Sequence, residues 1–101
     1  MPAYMVVQIN ITDPDRFARY REAVPGVVQQ FGGRYIVRGA QVEVLEGSHD
    51  GRRLVLFEFP SLDAIRRFWN SPEYAKVKPL RDNAAEIDVW AVPGVEGTHG
   101  G

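Results

Sequence analysis

Two spacings of apolar residues alternate along the chain. Tyr4 to Ile11 reads YMVVQINI. A two-residue period there puts Met5, Val7, Ile9 and Ile11 on one side and Tyr4, Val6, Gln8 and Asn10 on the other, which is a strand with one dry face. Asp13 and Pro14 follow, a capping side chain before a proline suited to the first helical position. Phe17, Tyr20, Val24, Val27 or Val28, and Phe31 then recur at helical spacing as far as Gly32 and Gly33, where glycine can end a helix. Pro25 removes a backbone donor inside this run, which predicts a kink or two short helices.

A second strand is predicted over Arg34 to Val37 and Gln41 to Glu46, bent at Gly39 and Ala40, where a glycine permits a bulge. Gly47 to Gly51 is the hairpin loop and Arg53 to Phe59 the third strand. The stretch LVLFEFPSLDAIRRFWNSPEY from Leu54 to Tyr74 then passes from an apolar strand through Ser61, an N-cap, into a helix. Leu62, Ile65, Phe68 and Trp69 form the apolar stripe of that helix, and Asp63 suits its first turn. Ser71 and Pro72 start another helical piece, with Tyr74, Val77 and Leu80 inward and a kink at Pro79. Ile87 to Val92 alternates as a fourth strand. Residues 1–93 thus form one domain, and 94–101 lack the apolar surface to dock and read as a mobile tail.

The order β-α-β-β-α-β is the α+β ferredoxin-like pattern. Right-handed crossovers place both helices on one face of a four-stranded antiparallel sheet of strand order 4-1-3-2. The drier alternation sets face the helices, which leaves Tyr4, Val6, Gln8, Leu54, Leu56, Glu58, Asp88, Trp90 and Val92 on the open face, joined by Arg34, Ile36 and Arg38 from the second strand. A bulge beside Gly39 would turn Arg38 over. This face is too apolar for water, so a second copy is expected on it, sheet to sheet, in a two-fold homodimer.

Composition narrows the chemistry. The 101 residues include no cysteine, which excludes disulfides, thiolate nucleophiles and thiol-based metal sites. The only histidines are His49 and His99, so neither a metal nor any other cofactor is expected. A net charge of −1 offers no footprint for nucleic acid or anionic lipid. The third strand offers Leu54, Leu56 and Glu58 where RNA-binding modules of this topology carry stacking aromatics. No apolar run is long enough to span a membrane, and a cytoplasmic location is expected.

Several runs carry a family resemblance: Asp13 and Pro14 in the first strand–helix turn, GGRYIVRG from Gly32 to Gly39, EGSHDGRRLVLFEFPS from Glu46 to Ser61, and FWNSPEY from Phe68 to Tyr74. Together they make the chain similar, from Ala3 to Val92, to the domain-of-unknown-function family 1330 of the dimeric α/β-barrel superfamily. The resemblance implies the fold above, with two subunits closing their open faces into a barrel, and no settled activity. Cofactor-free monooxygenases, a muconolactone isomerase and heme-handling proteins are similar in architecture only.

Glu58 is the best candidate for acid–base chemistry, because an apolar strand would desolvate it and raise its pKa. Arg38, expected across the ladder, either forms an ion pair with it or positions an anionic group. Tyr4, Gln8 and Trp90 would shape a ligand site. Glu58 and Asp88 lie too far apart along the sheet for a two-carboxylate mechanism, and Ser48, His49 and Asp50 form a turn, not a triad. Trp69 and Tyr74 read as core packing and an anchoring hydroxyl. Two functions fit: a homodimer that binds or transforms a small aromatic or carbonyl-bearing metabolite in its barrel lumen, and a non-enzymatic dimeric binding or stress-related accessory module whose polar groups fix register.

Overall fold

Strand β1 (Ala3–Ile11) is one of two inner strands of a four-stranded antiparallel sheet in a computed structural model of the chain, which describes residues 1–95. Strands β3 (Arg53–Phe59) and β4 (Ala85–Pro93) flank it, and β2 (Arg34–Ala40) pairs with the far edge of β3. The order β2-β3-β1-β4 is the expected 4-1-3-2 read from the other edge. Met5, Val7 and Ile9 are buried, as the alternation predicts, while Ile11 is half-buried and Ala3, ahead of the predicted strand, extends the buried set.

Local chemistry sets the helix ends. Helix α1 (Pro14–Gln30) starts where Asp13 Oδ1 accepts a hydrogen bond from the Arg16 N–H at 3.1 Å. Of the kink or two short helices expected at Pro25, the second does not occur, since the chain runs through the proline as one helix; Val24 before it and Val27 and Val28 after it are all buried against the core. Gly32, at φ 83°, then reverses the chain, its N–H donating to Gln29 O and the Gly33 N–H to Val28 O, each at 3.0 Å.

Helices α2 (Leu62–Trp69) and α3 (Pro72–Val77) each begin at a serine. Ser61 Oγ accepts from the Ala64 N–H. The buried Ser71 hydroxyl accepts from the Tyr74 N–H at 3.0 Å and donates to the Phe68 carbonyl at 2.7 Å, so one side chain closes α2 and opens α3. Proline at position 79 marks a change into a 3₁₀ turn (Lys78–Arg81). Phe59, Phe68 and Tyr74 stack through the middle of the core, with ring centroids 5.5 and 4.6 Å apart.

The second strand is shorter than predicted. Ala40 already pairs with Leu54, so β3 has almost nothing left to pair with Gln41 to Glu46, which form part of an irregular connection instead. Leu45 there is 88% exposed. At the other end β4 is longer than predicted, and the Gly94 N–H still donates to Pro2 O at 2.8 Å. The rest of the predicted tail, including His99, lies outside the described residues, apart from Val95.

Candidate functional site

Strand pairing sorts the sheet into cross-strand rows. On the open face, Trp90, Val6, Leu56 and Val37 form an apolar belt across all four strands. Above it runs the row Val92, Tyr4, Glu58, Arg34, and below it Asp88, Gln8, Leu54, Ala40. Trp90 is 47% exposed in the single chain.

Glu58 accepts hydrogen bonds from Arg34 Nη2 at 2.8 Å and Nε at 3.0 Å, and from the Tyr4 hydroxyl at 3.3 Å. The Arg34 hydrogen bonds hold its carboxyl below the usual range, outweighing the desolvation that raises it. Two expectations are corrected here: the pKa moves down, not up, and the partner is Arg34, not Arg38. The register explains the second. Extra residues interrupt β2 between Tyr35 and Val37 and between Arg38 and Ala40, and the first shifts Arg38 opposite Val55, onto the helix-facing side. Gly39, at φ 77°, accommodates the second bulge.

At the other end, Arg52 donates to Asp88 at 2.6 Å and to Asp50 at 2.7 Å. The rows of Glu58 and Asp88 are four residues apart along β1, roughly 13 Å, so they share no site. His49 Nδ1 accepts from the Gly51 N–H at 3.1 Å, the local turn expected of that loop. Among the described residues no cluster of three His, Asp or Glu side chains could hold a metal, and no helix is long and apolar enough to cross a membrane.

The opposite side of the sheet holds a cavity of about 560 Å³, between the strands and the helices. Its floor is Met5, Val7, Val55 and Val89, and Phe68 and Trp69 of α2 wall it from above. The size is that of a small-molecule site. Polar groups enter at few points. The hydroxyls of Tyr20, from α1, and Tyr74, from α3, are 2.9 Å apart. Burial, with Tyr74 alongside, pushes Tyr20 far above its ordinary value, so it keeps its proton at neutral pH and is not a base. Tyr35 is also pushed up by burial, partly offset by Arg38.

The guanidinium of Arg81, on the 3₁₀ turn, lies 5.7 Å from the Tyr20 ring centroid. Burial works against its charge, but Tyr74 and Tyr20 more than offset this and raise its pKa. Its Nε is buried without a hydrogen-bond partner. Arg38 sits over the Tyr35 ring at 4.3 Å, with Arg53 Nη1 tied to the Gly39 carbonyl at 3.0 Å beside it. Among the described residues no carboxylate and no histidine lines the cavity.

Of the residues singled out in the sequence, the structure brings Tyr4 and Glu58 into contact and sets Gln8 and Trp90 in adjoining rows of the same face. Arg38 is on the other side of the sheet, with Trp69 and Tyr74. The sequence reading missed Tyr35, Arg53 and Arg81. A signal existed for the tyrosine pair, because hydroxyls on the apolar faces of two helices need a buried partner.

Comparison with solved structures confirms the architecture. A protein of unknown function from Rhodopseudomonas palustris superposes with TM-score 0.72 at 17% identity, over 95% of this chain and 84% of that one. SnoaB, a cofactor-independent oxygenase from Streptomyces nogalater, gives 0.65 at 13% identity over 97% of both chains. A dimeric ferredoxin-like protein of unknown function from Jannaschia sp. CCS1 gives 0.66 at 11% identity, over 93% of this chain and all of that one (100%). At these identities the likeness shows the fold alone. No curated protein matches the chain. Residues 2–95 match a family model described as Domain of unknown function (DUF1330), and the chain therefore belongs to that family.

Proposed function

We propose that the chain is a homodimeric small-molecule-binding protein whose ligand, aromatic or carbonyl-bearing, occupies the cavity between sheet and helices and is handled without a metal. The observation that carries this reading is the cavity itself, an apolar and aromatic cleft lined by the hydrogen-bonded hydroxyls of Tyr20 and Tyr74 and by Arg81, whose buried guanidinium Nε has no hydrogen-bond partner among the described residues. Such donors suit a carbonyl oxygen, and would stabilise negative charge developing on it more strongly than water does. The fold likeness to a cofactor-independent oxygenase agrees with chemistry done by protein and substrate alone, though it rests on architecture.

The open face supplies the second half of the proposal. Its apolar belt, with Trp90 exposed and Val92 exposed in the row above, is the surface on which a second copy would pack. Tyr4, Gln8, Trp90 and the Arg34–Glu58 pair then act in dimer register, and the site of ligand handling moves from the barrel lumen to the helix side, where Arg38 also stands.

Calorimetric titration with 2-acetylnaphthalene, a neutral aromatic ketone, tests the cavity, with the two indole N–H signals followed by nuclear magnetic resonance. The Trp69 signal should move on binding and the Trp90 signal should not. Absence of saturable binding, or movement of Trp90 alone, refutes the cavity site. A native-state mass of one chain refutes the dimer.

A further inference from the structure

Seven of the chain's ten arginines fall into two groups; the other three, Arg16, Arg19 and Arg66, neither line the cavity nor pair with a carboxylate among the described residues. Arg34, Arg52 and Arg67 are each paired with a carboxylate, and none of them lines the cavity. Arg21, Arg38, Arg53 and Arg81 all line it, and among the described residues none is paired with a carboxylate. Three of the four lie over aromatic rings instead: Arg21 over Phe17 at 5.4 Å, Arg38 over Tyr35 at 4.3 Å and Arg81 over Tyr20 at 5.7 Å. The chain as a whole carries 12 basic and 13 acidic residues, yet among the described residues this one cavity gathers four of the former and none of the latter.

Resting on the cavity reading above, we infer that the ligand is an aromatic carboxylate, held by its ring between sheet and α2 and by its anionic head at the arginines. Four like charges around one apolar cleft, with Arg21, Arg38 and Arg53 at its exposed rim and Arg81 half-buried, add up to a positive field that attracts an anion. The buried Arg81 Nε–H has no acceptor among the described residues. A carboxylate satisfies both conditions, because its two oxygens match the planar guanidinium fork. The walls of Phe57, Phe68 and Trp69 suit the ring that carries it. The bulges of β2 serve the same end: the first turns Arg38 toward the cavity, and the carbonyl of Gly39 in the second anchors Arg53.

The experiment compares 2-naphthoate with 2-acetylnaphthalene, a neutral ketone of similar shape, by calorimetry at low and high salt. Naphthoate should bind at least about tenfold tighter, as a charge-assisted fork requires, and the preference should shrink as salt rises. Arg38→Met and Arg81→Met should each weaken naphthoate at least about fivefold, and by more than they weaken the ketone, and Arg66→Met, outside the cavity, should change neither. Arg38 is exposed, so its variant keeps the test valid if Arg81→Met fails to fold. Equal affinity for the two ligands overturns the anion inference and leaves the cavity reading standing. Failure of both to bind overturns the cavity reading and the inference with it. A naphthoate preference untouched by both substitutions overturns the assignment to these arginines, and tighter binding of 2-naphthyl phosphate than of naphthoate overturns the carboxylate.

Discussion

The same substitution, glycine to alanine, should act with opposite signs at two positions of this chain. At Gly33 an added Cβ would meet Phe59 Cζ at 2.6 Å, Phe59 Cε2 at 2.7 Å and Val28 Cγ1 at 2.8 Å. Neither neighbour has room to move: both are 1% exposed, and the Phe59 ring packs on Phe68. Overpacking of this kind costs about 1–3 kcal/mol, and contact with two fixed side chains at once puts Gly33→Ala near the top of that range. At about 4–8 °C per kcal/mol for a domain of this size, the melting temperature should fall by roughly 10–20 °C. At Gly26, inside α1, a Cβ meets nothing within 4 Å. Gly26→Ala should therefore stabilise the helix by about 0.5–1 kcal/mol and raise the melting temperature by a few degrees. Thermal unfolding followed by circular dichroism, at one protein concentration so that association is held constant, reads both. An unchanged Gly33→Ala melting temperature would refute the packing of Phe59 against the end of α1, and with it the placement of the ring stack that leads to Tyr74.

Three further outcomes are expected. Arg34→Ala should return the Glu58 pKa toward its ordinary value of 4.5, whereas Arg38→Ala should leave it unmoved; carboxyl carbon shifts over a pH titration decide between the two registers. Because the folded-state Glu58 pKa is depressed, its pairing stabilises the fold above the ordinary value and that contribution is lost as pH falls through the folded value, so the acid limb of a stability profile should flatten in Arg34→Ala. Tyr20 behaves in the opposite sense: its folded pKa is raised, so its contribution is complete below 10.0 and is lost above it at about 1.4 kcal/mol per pH unit, with tyrosinate absorbance at that site appearing only as the chain unfolds. Tyr20→Phe and Tyr74→Phe should each cost about 1 kcal/mol in urea unfolding, and the double variant should cost less than their sum, since one hydrogen bond joins the two hydroxyls.

The architecture was legible because each element carries its own punctuation. Asp13 with Pro14, Ser61, and Ser71 with Pro72 mark three helix starts that the structure reproduces with the hydrogen bonds the residue types predict. The two-residue period of β1 and β4 fixed which side of the sheet is dry. The site was less legible, for two reasons. Alternation counts residues, and β2 contains residues that pairing does not count, so Arg38 was assigned to the wrong face while Arg34, ahead of the first bulge, was assigned correctly. Arg81 carries no local signal at all. It reaches the cavity because the chain passes from α3 into a 3₁₀ turn beside α1, a placement that depends on tertiary packing. Glu58 was misjudged on its surroundings: an apolar strand implied desolvation, but the edge position of β2 gives the carboxyl an arginine from the neighbouring row end.

The two interruptions in β2 have a joint arithmetic. A single extra residue inverts the parity of everything beyond it, and a second one restores it. Arg34 before the pair and Ala40 after it both face the open side, as an unbroken strand would have them, and only Val37 and Arg38 between them are inverted. The strand therefore leaves the sheet in the phase in which it entered, and the long connection to β3 is unaffected by what happens inside. Removing one bulge would transmit the error outward into the hairpin, whereas removing both would leave the sheet regular and deprive the cavity of a single charge.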